Sequence, residues 1–426
     1  MVKSMGIVAD DMTGAIDTAG VFASNGMATY VSLSTFAPPP DLAPEVHCVN
    51  TGTRYGAAID AAERVREATR TLLSSGRSSL YKKIDSTLRG HVAAEIAAML
   101  DAADAPFAFV APAFPATGRT QRDGVLYVND IPLAEAVEGQ DKMGGAPTSS
   151  VVELLSTQSG HRCGLVPLAD VESGAASVAA RTRALLDGGC TIVTFDAVTA
   201  EHMRRIEAVL SSRFPTGLPV GSAGLASAIA LRVGKPSAQP VPTPPPVREP
   251  VLIVSGSLNT VSLRQVDHVA ARPDVHEIFM DADTLLDSPT REGSEFERIL
   301  FEVQNALHST QNPLLAWIRA PSQHQATAHR EHSRRLNAAL SGMMRHMRQS
   351  VRAIGGLVLV GGDTAEAVLT GFGAQGISMR TEVMPGISAG TVIGGDADSR
   401  PVIAKAGGFG DDDAVLNALE YLRGES

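Results

Sequence analysis

The stretch "SLYKKIDSTLRGHVAAEIAAML", Ser79 to Leu100, holds the pattern on which the fold turns. Its opening, "SLYKKID", is a short β-prone run, and from Val92 to Ala102 the residues follow a helical pattern. Two lysines, an aspartate, two hydroxyls, an arginine and a glycine crowd around the join. A strand that feeds a helix through a short polar turn is half of a parallel βαβ unit. The same succession recurs along the chain. "MGIVAD", "ATYVSLS", "VHCVNT", "FAFVAPA", "CGLVPL", "TIVTFDA" and "LPVGSA" are further β-prone runs. Helical patterns lie among them at Ala57–Ser74, Gly174–Asp187 and Ala200–Arg213. Later, "PVLIVSGS", "HEIFMD", "PLLAWI" and "GLVLVGG" read as strands, with Glu295–His308 and Ser333–Ala353 as helices. Continuous apolar strands followed by helices predict mainly parallel sheets covered on both faces.

One segment differs in kind. "GKPSAQPVPTPPPVREP", Gly234 to Pro250, is too proline-rich for a helix or a central strand and reads as a stiff, extended linker. The expected architecture is therefore two doubly wound, mainly parallel-sheet α/β domains joined by a Pro-rich linker. Their spans are 1–233 and 251–426, with the linker at 234–250.

A chain of 426 residues exceeds what one core usually serves, which agrees with two domains. Its 36 basic and 46 acidic side chains give a net charge of −10, which argues against nucleic acid or an anionic membrane as partner. Cys48, Cys163 and Cys190 are scattered and form no CxxC pair, as suits a reducing compartment. The start of the chain has no signal-peptide form, and no apolar run nears the ~20 residues of a membrane helix. A cytoplasmic protein is expected. Oligomeric state is left open, a homo-oligomer being compatible.

In such folds ligands bind at the carboxyl ends of the strands, and the polar clusters fall there. "GIVADDMTGAID" ends a strand in Asp10 and Asp11. After "YKKID" come Asp85, Ser86, Thr87, Arg89 and Gly90, with a helix from about His91. "VNTGTRY" carries Thr53 and Arg54, "FVAPAFPATGRTQRDG" has a loop with Arg119 and Thr120, and "VGSAGLA" is a weaker fifth loop. Asp, Ser and Thr after a strand commonly N-cap the next helix, contributing about 0.5–2 kcal/mol. Capping does not account for Lys82, Lys83, Arg54, Arg89 and Arg119 beside Asp10, Asp11 and Asp85. Arginine forks match carboxylates, and Asp can act as base or metal ligand. Strand neighbours face opposite sides, so only one of the two lysines can point into the site. Lys83 shares a face with Asp85 if the strand persists that far, and is favoured.

The C-terminal half has glycine loops instead. "GGLVLVGGDTAEAVL" places Gly361, Gly362, Asp363 and Thr364 at a helix start, "VSGSLN" carries Ser257, and "PVIAKAGGFGDDDA" gives Lys405, Gly407 and Gly408. Glycines allow close backbone approach, and a helix N-terminus offers free N–H groups to a phosphate. Neither GxxxxGK[ST] nor GxGxxG is present. Asp411–Asp413 read as caps of the last helix. His324, His329, His332 and His346 lie in a polar, solvated segment, and no metal ligand set is assigned.

Taken in order, "ADDMTGAIDTA", "KKIDSTLRG", "PAFPATGRT", "VSGS", "GGDTAEAVL", "MPGISAG" and "KAGGFG" resemble the four-carbon acid sugar kinases, across essentially the whole chain. The resemblance implies ATP-dependent phosphorylation of threonate, erythronate or a 3-oxo relative. It implies a substrate-binding N-terminal and a nucleotide-binding C-terminal domain. Carried over by motif, Ser257, Gly361, Gly362, Asp363, Thr364 and Gly407 would hold ATP. Asp11, Asp85, Arg89 and Arg119 would belong to the acid-sugar side.

Such a reaction needs positioning, charge neutralisation by Mg²⁺ and basic groups, and a carboxylate to accept the hydroxyl proton. Arg89 and Lys83 are expected on the substrate carboxylate, with Asp11 and Asp85 competing as base. Two ligands on two domains imply a closing step that excludes water. The alternatives are a nicotinamide-dependent hydroxy-acid oxidoreductase and a non-catalytic sugar-acid sensor.

Overall fold

Buried apolar runs and well-capped helices alternate along the chain, as described by a computed structural model. It describes residues 4–33, 37–137, 139, 145–235, 246–257, 259–287, 294–308, 314–319, 329–348 and 350–425. Linker residues 236–245 and His324 lie outside the described residues. The first elements are β1 (Met5–Ala9), α1 (Met12–Ser24), β2 (Thr29–Ser32), β3 (Val46–Asn50), α2 (Ala58–Ser74), β4 (Ser79–Lys83), α3 (Val92–Ala103) and β5 (Ala108–Ala111). Next come β6 (Arg119–Arg122), β7 (Val125–Val128), β8 (Ile131–Pro132), α4 (Val151–Ser159), β9 (Cys163–Val166), α5 (Leu168–Ser173) and α6 (Ala175–Asp187). Then follow β10 (Ile192–Phe195), α7 (Ala200–Arg213), β11 (Leu218–Gly221) and α8 (Ala223–Val233). The C-terminal part begins with β12 (Val251–Ser255), α9 (Thr260–Ala270), β13 (His276–Asp281), α10 (Ala282–Asp287), α11 (Ser294–His308), β14 (Leu314–Arg319) and α12 (His329–His346). It ends with β15 (Gly356–Val360), α13 (Gly362–Gly371), β16 (Gly376–Met384), β17 (Ile387–Ile393), β18 (Pro401–Lys405) and α14 (Ala414–Arg423).

Two compact units result, one drawn from residues 1–27 and 43–236, the other from 28–42 and 237–426. In the first, the strands run β3-β1-β4-β11-β5-β10-β9, all parallel. Every residue of β1, β3, β5 and β10 is buried, the signature of a sheet covered on both faces. β3 and β4 lie on opposite sides of β1, so the carboxyl ends of β1 and β4 border a topological switch point.

A second, three-stranded antiparallel sheet, β6-β7-β8, corrects the sequence reading: Arg119 and Thr120 lie on a strand rather than in a loop. Both its turns are two-residue, Asp123-Gly124 and Asn129-Asp130, with all four φ angles positive, as such hairpins require. Buried Asp196 fastens the first turn, accepting from the backbone N–H of Asp123 at 2.7 Å and Gly124 at 3.0 Å and from Gln121 Nε2 at 3.1 Å.

In the second unit β13-β14-β12-β15-β18 are parallel, and β17, β16 and β2 continue antiparallel. β2 precedes the linker in sequence yet pairs with β16, from Ser32↔Gly376 to Thr29↔Met379. One face of this sheet packs Ile253, Val358, Val360 and Ile403 against Val266, Val269, Val415 and Leu419 of α9 and α14.

Candidate functional site

Asp11 serves two purposes at the end of β1. Its Oδ1 caps α1 by accepting from Gly14 N at 2.8 Å, so the capping expectation holds for this residue. The same carboxylate meets Arg54, whose Nη1 and Nη2 donate to it at 2.5 and 2.7 Å. Arg54 also grips Asp10 through Nε at 2.8 Å and Nη2 at 3.0 Å, and lies 3.8 Å from Asp85. Asp85 is in turn forked by Arg89, Nε at 2.7 Å and Nη2 at 3.0 Å, and accepts from the Thr87 hydroxyl. Asp10, Asp11, Arg54 and Asp85 are all buried. The charged residues singled out from three different loops are thus one connected network.

The two lysines separate as alternation predicts. Lys82 turns to α3 and pairs with Glu95 at 2.7 Å, where Thr53 also donates at 2.7 Å. Lys83 turns to α1, its Nζ donating to Ile84 O at 2.8 Å. A Cβ on Gly14 would stand 2.8 Å from that Nζ and 2.7 Å from Asp11 Oδ1, so only glycine leaves the lysine its place. Two expectations need correction. β4 ends at Lys83, so Asp85 reaches the network from a turn, not from a shared strand face. Ser86 and Thr87 do not cap α3, whose N-cap is His91 without a side-chain bond; His91 Nε2 instead donates to Gly56 O at 2.7 Å. Ser86 is half-buried, and Gly90, at φ +89°, lets the Arg54 side chain pack where a Cβ would stand 3.3 Å from its Cγ. Arg119 opens β6 and donates to the Thr117 carbonyl.

The carboxylates are not equivalent. Burial pushes Asp85 up, but the Arg89 and Arg54 guanidiniums and the bonds from Arg89 and Thr87 outweigh it and hold the group well below the usual range. Asp10 is likewise buried and held low by Arg54, with Lys82 and Lys83 adding. Asp11 goes the other way: burial, with Asp10 and Asp85 nearby, raises it despite Arg54 and Lys83.

In the second unit the three glycine loops follow β12, β15 and β18, which are adjacent in the sheet, and they touch. Gly361, at φ +102°, precedes α13 and donates to Lys405 O at 2.8 Å. Gly256 N donates to Thr364 Oγ1 at 3.1 Å, tying the first loop to the second. A Cβ on Gly407 would stand 2.9 Å from Ser257 Oγ, and one on Gly361 3.4 Å from Ser257 Cβ. Gly362 and exposed Asp363 form the first turn of α13, whose leading N–H groups have no partner within the helix. A Cβ on Gly408 would stand 3.7 Å from Nδ2 of Asn259, whose side chain caps α9. Backbone amides around small side chains at a helix start form a cradle suited to phosphate.

Sequence reasoning missed Glu95, Ser262 and Gln265. Glu95 had a signal, a lone carboxylate on the apolar face of α3. Ser262 donates to Gly407 O at 2.6 Å, and Gln265 Nε2 donates to the carbonyls of Phe409, Gly410 and Asp411. These α9 residues look like ordinary helix polar positions until the third loop is seen folded over them. Asp412 and Asp413 pair with Arg264 and His268, and Asp413 makes no side-chain cap to α14. Among the described residues no group of three or more His, Cys, Asp or Glu could hold a metal, and no helix is long and apolar enough to cross a membrane.

Comparison with known proteins matches residues 5–229 to a sugar-binding N-terminal domain and residues 252–415 to a nucleotide-binding C-terminal domain. A D-threonate kinase of Salmonella typhimurium is 32% identical, over 98% of this chain and 97% of its own. A D-threonate kinase of Bordetella bronchiseptica is 33% identical over 98% and 97%. A D-erythronate kinase of Heliobacterium modesticaldum is 30% identical over 98% and 96%. A crystal structure from Salmonella typhimurium LT2 superimposes with a TM-score of 0.80 at 23% identity, covering 97% of this chain and 98% of that one, which extends the likeness to the fold.

Proposed function

Since the chain belongs to the four-carbon acid sugar kinase family, and is thus a small-molecule kinase for sugar acids, we propose that it phosphorylates the terminal, 4-hydroxyl of a four-carbon aldonate. D-threonate is the first choice of substrate and D-erythronate the second. The order follows the relatives, since those at 32 and 33% identity are D-threonate kinases. We assign the sugar acid to the first domain and the nucleotide to the second, in the cytoplasm.

The observation that carries this reading is the Arg54–Asp10–Asp11–Asp85–Arg89 network with Lys83 beside it, at the carboxyl ends of β1 and β4. It concentrates cations for a carboxylate and holds one carboxylate with a raised pKa. Lys83 and Arg89 bind the acid group of the substrate. Arg54 fixes Asp10 and Asp11 in orientation, and Asp85 holds Arg89 in turn. Asp11 accepts the proton of the attacking hydroxyl, because its raised pKa makes it the better acceptor than Asp85. Ser86, Thr87, Gly90 and Arg119 complete the substrate loops.

ATP supplies the phosphoryl group. The second unit fits it, because Gly361 and Gly407 leave the space beside Ser257 that any Cβ would fill. Ser257, Gly361, Gly362, Asp363, Thr364, Gly407 and Gly408 would hold its phosphates. Mg²⁺ would reach the site with the nucleotide and a carboxylate, here Asp363 at the start of α13, since it usually keeps several waters and phosphate ligands.

The test is ADP release coupled to a tetronate panel. Turnover with D-threonate or D-erythronate, abolished by EDTA, is expected. No turnover across D-threonate, D-erythronate, L-threonate and 3-oxo-tetronate would sink the substrate assignment. A thermal shift with NAD but none with MgATP would restore the oxidoreductase alternative.

A further inference from the structure

Three lysines are buried among the described residues: Lys82, Lys83 and Lys405. Lys82 pairs with Glu95, and Lys83 stands in the field of Asp10 and Asp11. Lys405, 1% exposed at the end of β18, has no carboxylate partner among the described residues. Among the described residues its Nζ donates to backbone alone, Ala406 O at 2.7 Å and Gly407 O at 3.1 Å. Burial lowers its pKa to about 8, which leaves the ammonium mostly protonated at neutral pH. A buried ammonium with no counter-charge weakens a fold. Its reason must come from something the loop meets.

The two carbonyls it holds belong to the third glycine loop. In a trans peptide the N–H points opposite to the C=O of the same plane. With the Ala406 and Gly407 oxygens turned toward the ammonium, the N–H groups of Gly407 and Gly408 point away from it. Gly407 is half-buried and Gly408 exposed, so these donors lie on the open side of the loop. Successive outward amides of this kind form an anion-binding concavity. Ser262 reinforces the arrangement by donating to the same Gly407 oxygen at 2.6 Å.

We propose that Lys405 is a positioning residue for the nucleotide's phosphates: it pins the Ala406 and Gly407 carbonyls inward, presents the Gly407 and Gly408 amides as a pair, and has its charge offset when the polyphosphate binds. The inference rests on the nucleotide reading of this unit and gives Lys405 a defined part in it, one whose cost to the empty protein is recovered on binding.

The experiment compares full-length wild type with Lys405→Met, which keeps the apolar stem and removes charge and donors. The Tm without ligand is expected to stay or rise. ATP affinity by calorimetry falls about tenfold or more, since charge-assisted bonds and their scaffold are lost. KM for ATP rises in step, while KM for the sugar acid stays within about twofold. A lower Tm with unchanged ATP affinity makes Lys405 structural and overturns the inference. If Lys405→Met does not fold, Lys405→Arg must bind ATP more tightly than Lys405→Gln; equal binding overturns it. Wild-type protein that binds no ATP removes the nucleotide reading and this inference together. Wild-type binding matched by Lys405→Met removes this inference alone.

Discussion

At the scale of single residues, Asp11 and Asp85 show how one network gives two carboxylates opposite tendencies. Arg89 commits its fork to Asp85, whereas Asp11 shares Arg54 with Asp10 and so gains less from it. On the proposed reading, proton acceptance falls to Asp11. Asp11→Asn should lower kcat by about 100-fold or more while leaving α1 in place, because Asn caps helices as well as Asp does. The pH profile gives an independent check with a definite sign. A base must be ionised, so activity is present above its pKa and lost as pH falls through it. Burial and neighbouring Asp10 raise Asp11, placing the acid limb of wild-type kcat/KM above the ordinary aspartate value. An acid limb below that value would assign the role to Asp85, which its arginines hold down.

At the scale of elements, β4 and α3 are joined by the Lys82–Glu95 pair, almost wholly out of water. Removing one partner strands the other charge, so Lys82→Met and Glu95→Gln should each cost about 3–5 kcal/mol in urea unfolding. The double variant Lys82→Met with Glu95→Leu should be far closer to wild type, since neither charge is then left alone. Equal losses in single and double variants would show that the pair is not what joins these elements. The alternation that sends Lys82 and Lys83 to opposite faces was legible in the sequence, because a strand has no other geometry. So were the parallel strands, most of them short apolar runs such as MGIVA of β1 and VLIVS of β12. The small β6-β7-β8 sheet was hidden by its composition: "RTQR" has no apolar face, and its signal was the Asp123-Gly124 turn. β2 was recognisable as a strand but not as part of the second unit, because its pairing with β16 leaves no local trace. At the site, residue types announced charge and phosphate chemistry. Which carboxylate each arginine holds depends on loop geometry that spacing does not encode.

At the scale of the whole molecule, the two ligands should mark different units, and amide hydrogen exchange can read this in the intact chain. A ligand slows exchange where it bonds amides or stabilises the local fold against opening. A non-hydrolysable ATP analogue alone should protect Gly256 and Ser257, Gly362 to Thr364, and Gly407 to Phe409. These amides line the three loops that converge beside Ser257. D-threonate alone should protect Asp10 to Thr13 and Ser86 to His91, around the Arg54 and Asp85 pairs. The control is the amino end of the first sheet, where Met5, Ser79 and Leu218 line a cavity of about 360 Å³ far along their strands from Asp11 and Asp85. Neither ligand should protect it. Protection by the ATP analogue at Ser86 to His91, with none in the glycine loops, would reverse the assignment of the two ligands and remove Lys405 from the nucleotide site as well.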